Sequence, residues 1–289
     1  MQENIEPQKE FQSLALEPKF PNVKFANKYL VIILCIYLFS GILIELVNPL
    51  QQGKFLAYLQ GSAQLLLMFL PALIFSRFSP LTFKTLFRLE SKPSLLIIIL
   101  SLTGIIVLSL FETSYLFLQD KLIPEFLQEI YKTTEKAIED LYNQILGGNG
   151  FFDMMKALAI GAIIPALSEE TLFRGMYQRS LEEDLKPSFA ILISGLVFAL
   201  VHLNPINIIP LLTIGLYLGV VAYGTKSLII PIILHFLNNA VAVLVMYTPS
   251  LSQLDSQSYN LNIPSAILMC VISFSFLIII SIVIYRNGK

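Results

Sequence analysis

Six polar side chains in an otherwise apolar chain could do chemistry together: Glu169, Glu170, Arg174, His202, His235 and Asn239. Glu170 and Arg174 are four residues apart, so on a helix they share one face. Glu169 points about 100° away from Glu170. One carboxylate can therefore be neutralised by the guanidinium while the other faces elsewhere. Two carboxyl groups in unlike environments differ in basicity, which suits one of them to act as a general base. Taken alone, the same residues also read as a plain ion pair at a helix end. The chain has two histidines, His202 and His235, and both fall in apolar runs. A single histidine in such a run is commonly a helix–helix hydrogen bonder. Two of two, each near further polar groups, call for a different account. Phe198 precedes His202 by four positions and Asn239 follows His235 by four. His235 and Asn239 then share a helix face and can donate to one point in space. A carboxylate base beside two imidazoles and an amide is equipment for general acid–base chemistry.

The elements that must position these groups are long apolar runs. Hydrophobic residues make up 55% of the 289 positions and charged residues 13%, and mean hydropathy is +0.72. A soluble protein of this size carries about 25% charged residues. The reading is an all-α, multi-pass transmembrane helical bundle of about eight spans: 29–48, 55–76, 95–118, 152–173, 188–203, 206–223, 227–247 and 263–285. The fifth and sixth are short and joined through Asn204-Pro205, which suggests a hairpin enclosed within the bundle. The net charge of −1, with no basic patch, excludes nucleic acid as a partner; the lipid bilayer is the expected one. Cys35 and Cys270 both lie in apolar runs and read as small packing residues rather than a disulfide framework.

Of the 19 Lys and Arg residues, 14 fall on one side if the N-terminus is cytoplasmic. Both termini are then cytoplasmic, in the cell (plasma or inner) membrane. The expected organisation is a cytoplasmic tail over 1–28, three spans over 29–118 and an external amphipathic helix over 119–151. A four-span core follows over 152–248, and a loop with the last span over 249–289. Apolar pairs from Leu122/Ile123 to Ile145/Leu146 form a helical stripe opposite an acidic face, ended by Gly147-Gly148-Asn149-Gly150. Such a helix lies on the membrane surface; the sharper alternative is a lid over a substrate entry.

Depth can be checked by counting. If span four continues as a helix past Arg174 to the turn near Asp184–Pro187, Glu169 precedes Lys186 by 17 residues and His202 follows it by 16. Equal offsets in an antiparallel hairpin mean similar depth, so Glu169 and His202 can face one another. His235 follows Lys226 by nine residues and is expected to sit shallower, unless Pro231 bends its helix.

Glu-Glu-x-x-x-Arg at 169–174, Phe-x-x-x-His at 198–202 and His-x-x-x-Asn at 235–239 occur in that order. Together they resemble the three motifs of the CPBP family of CAAX proteases and bacteriocin-processing enzymes, also called Abi. The resemblance covers about 152–247 and implies an intramembrane endopeptidase built as an eight-helix bundle, acting on a peptide or membrane-protein substrate. It implies Glu169 as the base that activates water, assisted by His202. His235 and Asn239 would hold the oxyanion, and Glu170 and Arg174 would orient and balance the site. The family is commonly labelled metalloprotease, and Glu169, His202 and His235 could hold Zn2+ with an open position. The His-Glu-x-x-His motif is absent, and a metal-free glutamate mechanism is the preferred reading. No Gly-x-Ser-x-Gly elbow supports a serine hydrolase. Two rivals stand beside the peptidase: a catalytically idle relative that binds peptides or confers bacteriocin immunity, and a transporter whose buried charges form an ion path. No internal repeat of the transporter kind is visible.

Overall fold

Inside a bilayer every backbone polar group must be satisfied within the segment, so long apolar runs fold as helices. The computed structural model describes residues 23–47, 54–79, 81–248 and 261–289. Among these all regular structure is helical. Helix α1 spans Val23–Val47, α2 Phe55–Phe78, α3 Phe83–Leu86, α4 Leu95–Leu122 and α5 Glu125–Leu146. They are followed by α6 Phe151–Asp184, α7 Pro187–Val201, α8 Ile208–Thr225, α9 Ile229–Tyr247 and α10 Ile263–Asn287. Seven of these are long and apolar enough to cross a membrane, and α7 is a shorter apolar helix of 15 residues. The chain is thus a multi-pass helical bundle. Most of the expected tail and most of the loop before α10 (1–22 and 249–260) lie outside the described residues.

Two expectations about the spans change. Span four does not stop at 173. As α6 it is 34 residues long and runs to Asp184, because Gly175 is its only interior helix breaker between Pro165 and Pro187. The α7–α8 hairpin is not enclosed. Phe189, Leu192, Leu196 and Leu200 are exposed along one face of α7, as a lipid-facing stripe requires. Only α8 is internal, with 56% of its residues buried. Helix α7 is short because Leu203 turns to φ +51° and the Asn204 side chain accepts the Asn207 N–H at 3.1 Å, closing the turn around Pro205.

Small residues let the helices approach, which matters where lipid removes most of the hydrophobic drive. A Cβ at Gly215 of α8 would lie 3.1 Å from the Gly195 carbonyl of α7. Leu172, Phe173 and Met176 of α6 and Tyr217, Leu218 and Val221 of α8 form the centre of the core. Arg88, at φ +51°, pairs with Glu182 and donates to the Ala222 carbonyl at 3.1 Å. Its own carbonyl accepts the Leu228 N–H at 3.4 Å. This fixes where α9 begins: Leu228 packs on Gly175, well inside the bundle from the Asp184–Pro187 turn.

Helix α5 is amphipathic as expected. It packs against α2 and the start of α6, and Tyr247 donates to the Leu146 carbonyl at 2.5 Å. Phe126 and Ile130 stay 80% and 66% exposed.

Candidate active site

Helix α6 carries the paired carboxylates between two wide, π-type turns, at 159–163 and 171–178. Such turns concentrate at functional sites. The first coincides with Pro165, which has no N–H to give the carbonyl four residues back, that of Gly161. Asn239 supplies a donor instead, its Nδ2 reaching the Gly161 carbonyl at 3.2 Å.

Glu170 is completely buried. Its Oε1 accepts from Arg174 Nη1 at 2.6 Å and from His235 Nδ1 at 2.8 Å. Arg174, also fully buried, donates through Nη2 to the Gly215 carbonyl at 2.9 Å. Its guanidinium lies 4.5 Å from the centroid of the Phe198 ring. Glu170 Oε2 and Arg174 Nε have no hydrogen-bond partner among the described residues, so the pair depends on mutual neutralisation.

Phe198 does three things. Its ring stacks on Arg174. The same ring touches His202, with centroids 4.7 Å apart, and stands edge-on to His235 at 6.1 Å. Its carbonyl oxygen contacts His202 Nδ1 at 2.7 Å. A carbonyl only accepts, so Nδ1 of His202 carries the proton; the Glu170 carboxylate imposes the same tautomer on His235. Both Nε2 atoms are thereby turned to the same acceptor. Glu169 Oε2 lies 3.7 Å from His202 Nε2 and 3.9 Å from His235 Nε2. These separations are too long for direct hydrogen bonds. Three acceptors converging on one point need a donor among them, either a second proton on an imidazole or a bridging water with two O–H groups.

The structure therefore brings Glu169, Glu170, Arg174, His202 and His235 together. His235 is not shallower, as residue counting suggested. The α9 start lies level with Gly175, so seven residues on from Leu228 reaches the same depth as six back from Gly175. Asn239 is the residue that departs: its described hydrogen bonds go to the Gly161 carbonyl and to Asn238, not to the point His235 addresses.

Two groups were not singled out from the sequence. Gln64 of α2 is buried and donates from Nε2 to Glu169 Oε1 at 3.2 Å. Tyr142, on α5, lies near enough for the Glu169 charge to act on it. Its hydroxyl, on a side chain that stays about half exposed at 52%, is raised above the ordinary tyrosine range by partial burial and by that charge. The signal available for Gln64 was its polarity within an apolar span, where an amide without a partner is costly.

Zinc can be tested against this geometry. Two imidazoles and a carboxylate, with outer partners on each Nδ1, are the donor types a zinc site uses. Ligand atoms at about 2.0–2.1 Å from a tetrahedral zinc lie closer to one another than Glu169 Oε2 lies to either Nε2 atom. Among the described residues no set of three or more His, Cys, Asp and Glu is arranged to hold a metal ion. As placed, the residues do not fit a zinc, and no step is derived through one.

Residues 152–241, which hold all three motifs, match the family described as type II CAAX prenyl endopeptidase Rce1-like. That match spans 90 of the 289 residues and supports a CPBP, or CAAX-protease, family assignment. A relative in Bacillus subtilis (strain 168), the candidate membrane peptidase YdiL, is 26% identical over 106 residues. That alignment covers 37% of this chain, and the chain spans about 43% of the length of the relative. No solved structure matches. The family match begins at α6 and ends within α9, so α1, α2 and the Gln64 contact lie outside it.

Proposed function

We propose that this membrane protein is an intramembrane endopeptidase of the CAAX-protease type, hydrolysing a peptide bond with water activated by Glu169. The observation that carries this reading is the Glu169 carboxylate, which addresses two imidazoles whose Nε2 lone pairs face it at 3.7 and 3.9 Å. Water held there gives one proton to Glu169 while its oxygen attacks the scissile carbonyl carbon. A C–O bond forms and the carbonyl becomes an oxyanion. Glu169 shares that proton with the Nε2 of His235, which then donates to the oxyanion together with Asn239, whose second N–H is not the one given to Gly161. Collapse breaks the C–N bond, and the proton taken from water passes to the leaving amine. His202, half-open to the surroundings, assists that transfer. Glu170 and Arg174 hold His235 in its tautomer, as the third member of a hydrolase triad orients its base.

The substrate class is a peptide or membrane-protein tail entering from the lipid. The site is set in the cell (plasma or inner) membrane with both termini cytoplasmic and α5 on the opposite surface. Profiling peptides released by native membranes carrying the wild type against Glu169→Gln tests the reading. Cleavage products lost in Glu169→Gln and His202→Ala, with both variants folded, support it. Variants that keep the full biological effect point instead to peptide binding or immunity.

A further inference from the structure

Glu169 has two oxygens, and only Oε2 faces the histidines. What chooses Oε2 comes from α1 and α2, outside the family-matched region. Helix α2 meets α6 at Gly61, where a Cβ would lie 3.3 Å from Ile164 Cδ1 and 3.5 Å from Ile160 Cγ1. A larger residue there would push α2 away. One turn further along, Gln64 reaches Glu169 Oε1 with its Nε2 at 3.2 Å.

The direction of the Gln64 amide is set by its neighbours. Its N–H is committed to a carboxylate, which only accepts. Tyr37 of α1 lies beside Gln64. Tyr37 in turn accepts from Gln60 Nε2 at 2.7 Å, so its own O–H is available to donate onward. Two bonds are directed here: the Gln60 N–H donates to the Tyr37 hydroxyl, and the Gln64 N–H donates to Glu169 Oε1. Flipping the buried Gln64 amide would turn its oxygen toward the Glu169 carboxylate and lose that bond.

We infer that Gln64 is a positioning residue that clamps Glu169 through Oε1, with Tyr37 packed beside the amide, so that Oε2 addresses the water between the imidazoles. The inference rests on Glu169 being the base. Losing such an outer partner costs on the order of 10–100-fold where ligand or base geometry is at stake.

The test uses full-length protein in detergent, with Gln64→Leu and Tyr37→Phe. A quenched fluorescent peptide ending in a farnesylated Cys-aliphatic-aliphatic-X sequence is the activity probe. The second readout is the infrared carboxylate stretch of Glu169, assigned by its loss in Glu169→Gln. The expected result for Gln64→Leu is kcat lowered about 10–100-fold with KM unchanged, and a shifted Glu169 band; Tyr37→Phe moves both in the same direction by less. An unshifted band in Gln64→Leu overturns the inference, as does a variant that raises KM alone. If the wild type cleaves no peptide but the band shifts, the clamp stands and the proteolytic reading falls.

Discussion

Replacing Arg174 by methionine removes the cation paired with Glu170 in a fully buried site. The unbranched side chain fills much of the same space but leaves the carboxylate facing only His235. Breaking a buried pair by removing one partner costs about 3–5 kcal/mol. The lost stacking on Phe198 adds up to about 2 kcal/mol, although the two terms overlap. A destabilisation of about 4 kcal/mol is expected, read as the shift in reversible unfolding in mixed micelles. The companion variant Glu170→Gln, combined with Arg174→Met, removes both charges and keeps an oxygen for His235 Nδ1. The double variant should then recover at least about 2 kcal/mol relative to the sum of the singles, as coupled residues in one network do. A single-variant loss below about 1 kcal/mol, or strict additivity, would refute the view that the Glu170 carboxylate is held by this guanidinium.

Four further outcomes follow from the geometry. Gly104→Ala places a Cβ 2.0 Å from the Tyr217 hydroxyl and displaces it from the Ser101 carbonyl it donates to at 2.7 Å; a melt lowered by about 1–3 kcal/mol is expected, whereas Gly41→Ala, which meets nothing within 4 Å, should leave it unchanged. Phe198→Leu keeps an apolar filler but takes away the ring both imidazoles lean on, so turnover should fall far more than the roughly 1–2 kcal/mol of stability lost with the cation–π contact; equal losses would count against the orienting role. Asn239→Ala should cost about 1 kcal/mol through the Gly161 carbonyl and about 10²-fold in kcat if its second N–H serves the oxyanion, and a stability loss with kcat intact would assign it to the helix contact alone. Chelator treatment should leave cleavage unchanged and metal analysis should find well under one zinc per chain; unit zinc in active protein would overturn the metal-free mechanism.

Much of the bundle could be read from the sequence because each span is a continuous apolar run closed by Pro, Gly or charge. Counting residues from the Asp184–Pro187 turn also placed Glu169 opposite His202. It failed for His235, because the relevant origin is the Leu228 contact with Gly175 and Arg88, a tertiary feature without a local signal. The Asn239 contact with the Gly161 carbonyl has a similar source. Four-residue spacing puts it on the His235 face, but Pro165 on another helix creates the acceptor it turns to. Gln64 was legible in principle, as an amide in an apolar span. Its partner was not, since the close approach at Gly61 that brings α2 against α6 has no local signal.

The central claim is that Glu169 takes the proton from the attacking water. It is tested most directly by the turnover of purified Glu169→Gln on a peptide the wild type cleaves, with the fold verified by an unchanged melt. The amide keeps the size and the Gln64 contact can re-form through its oxygen, but it cannot accept the proton. A kcat lower by about 10²–10⁴-fold with KM nearly unchanged is predicted. A variant within a few-fold of wild type would contradict the account.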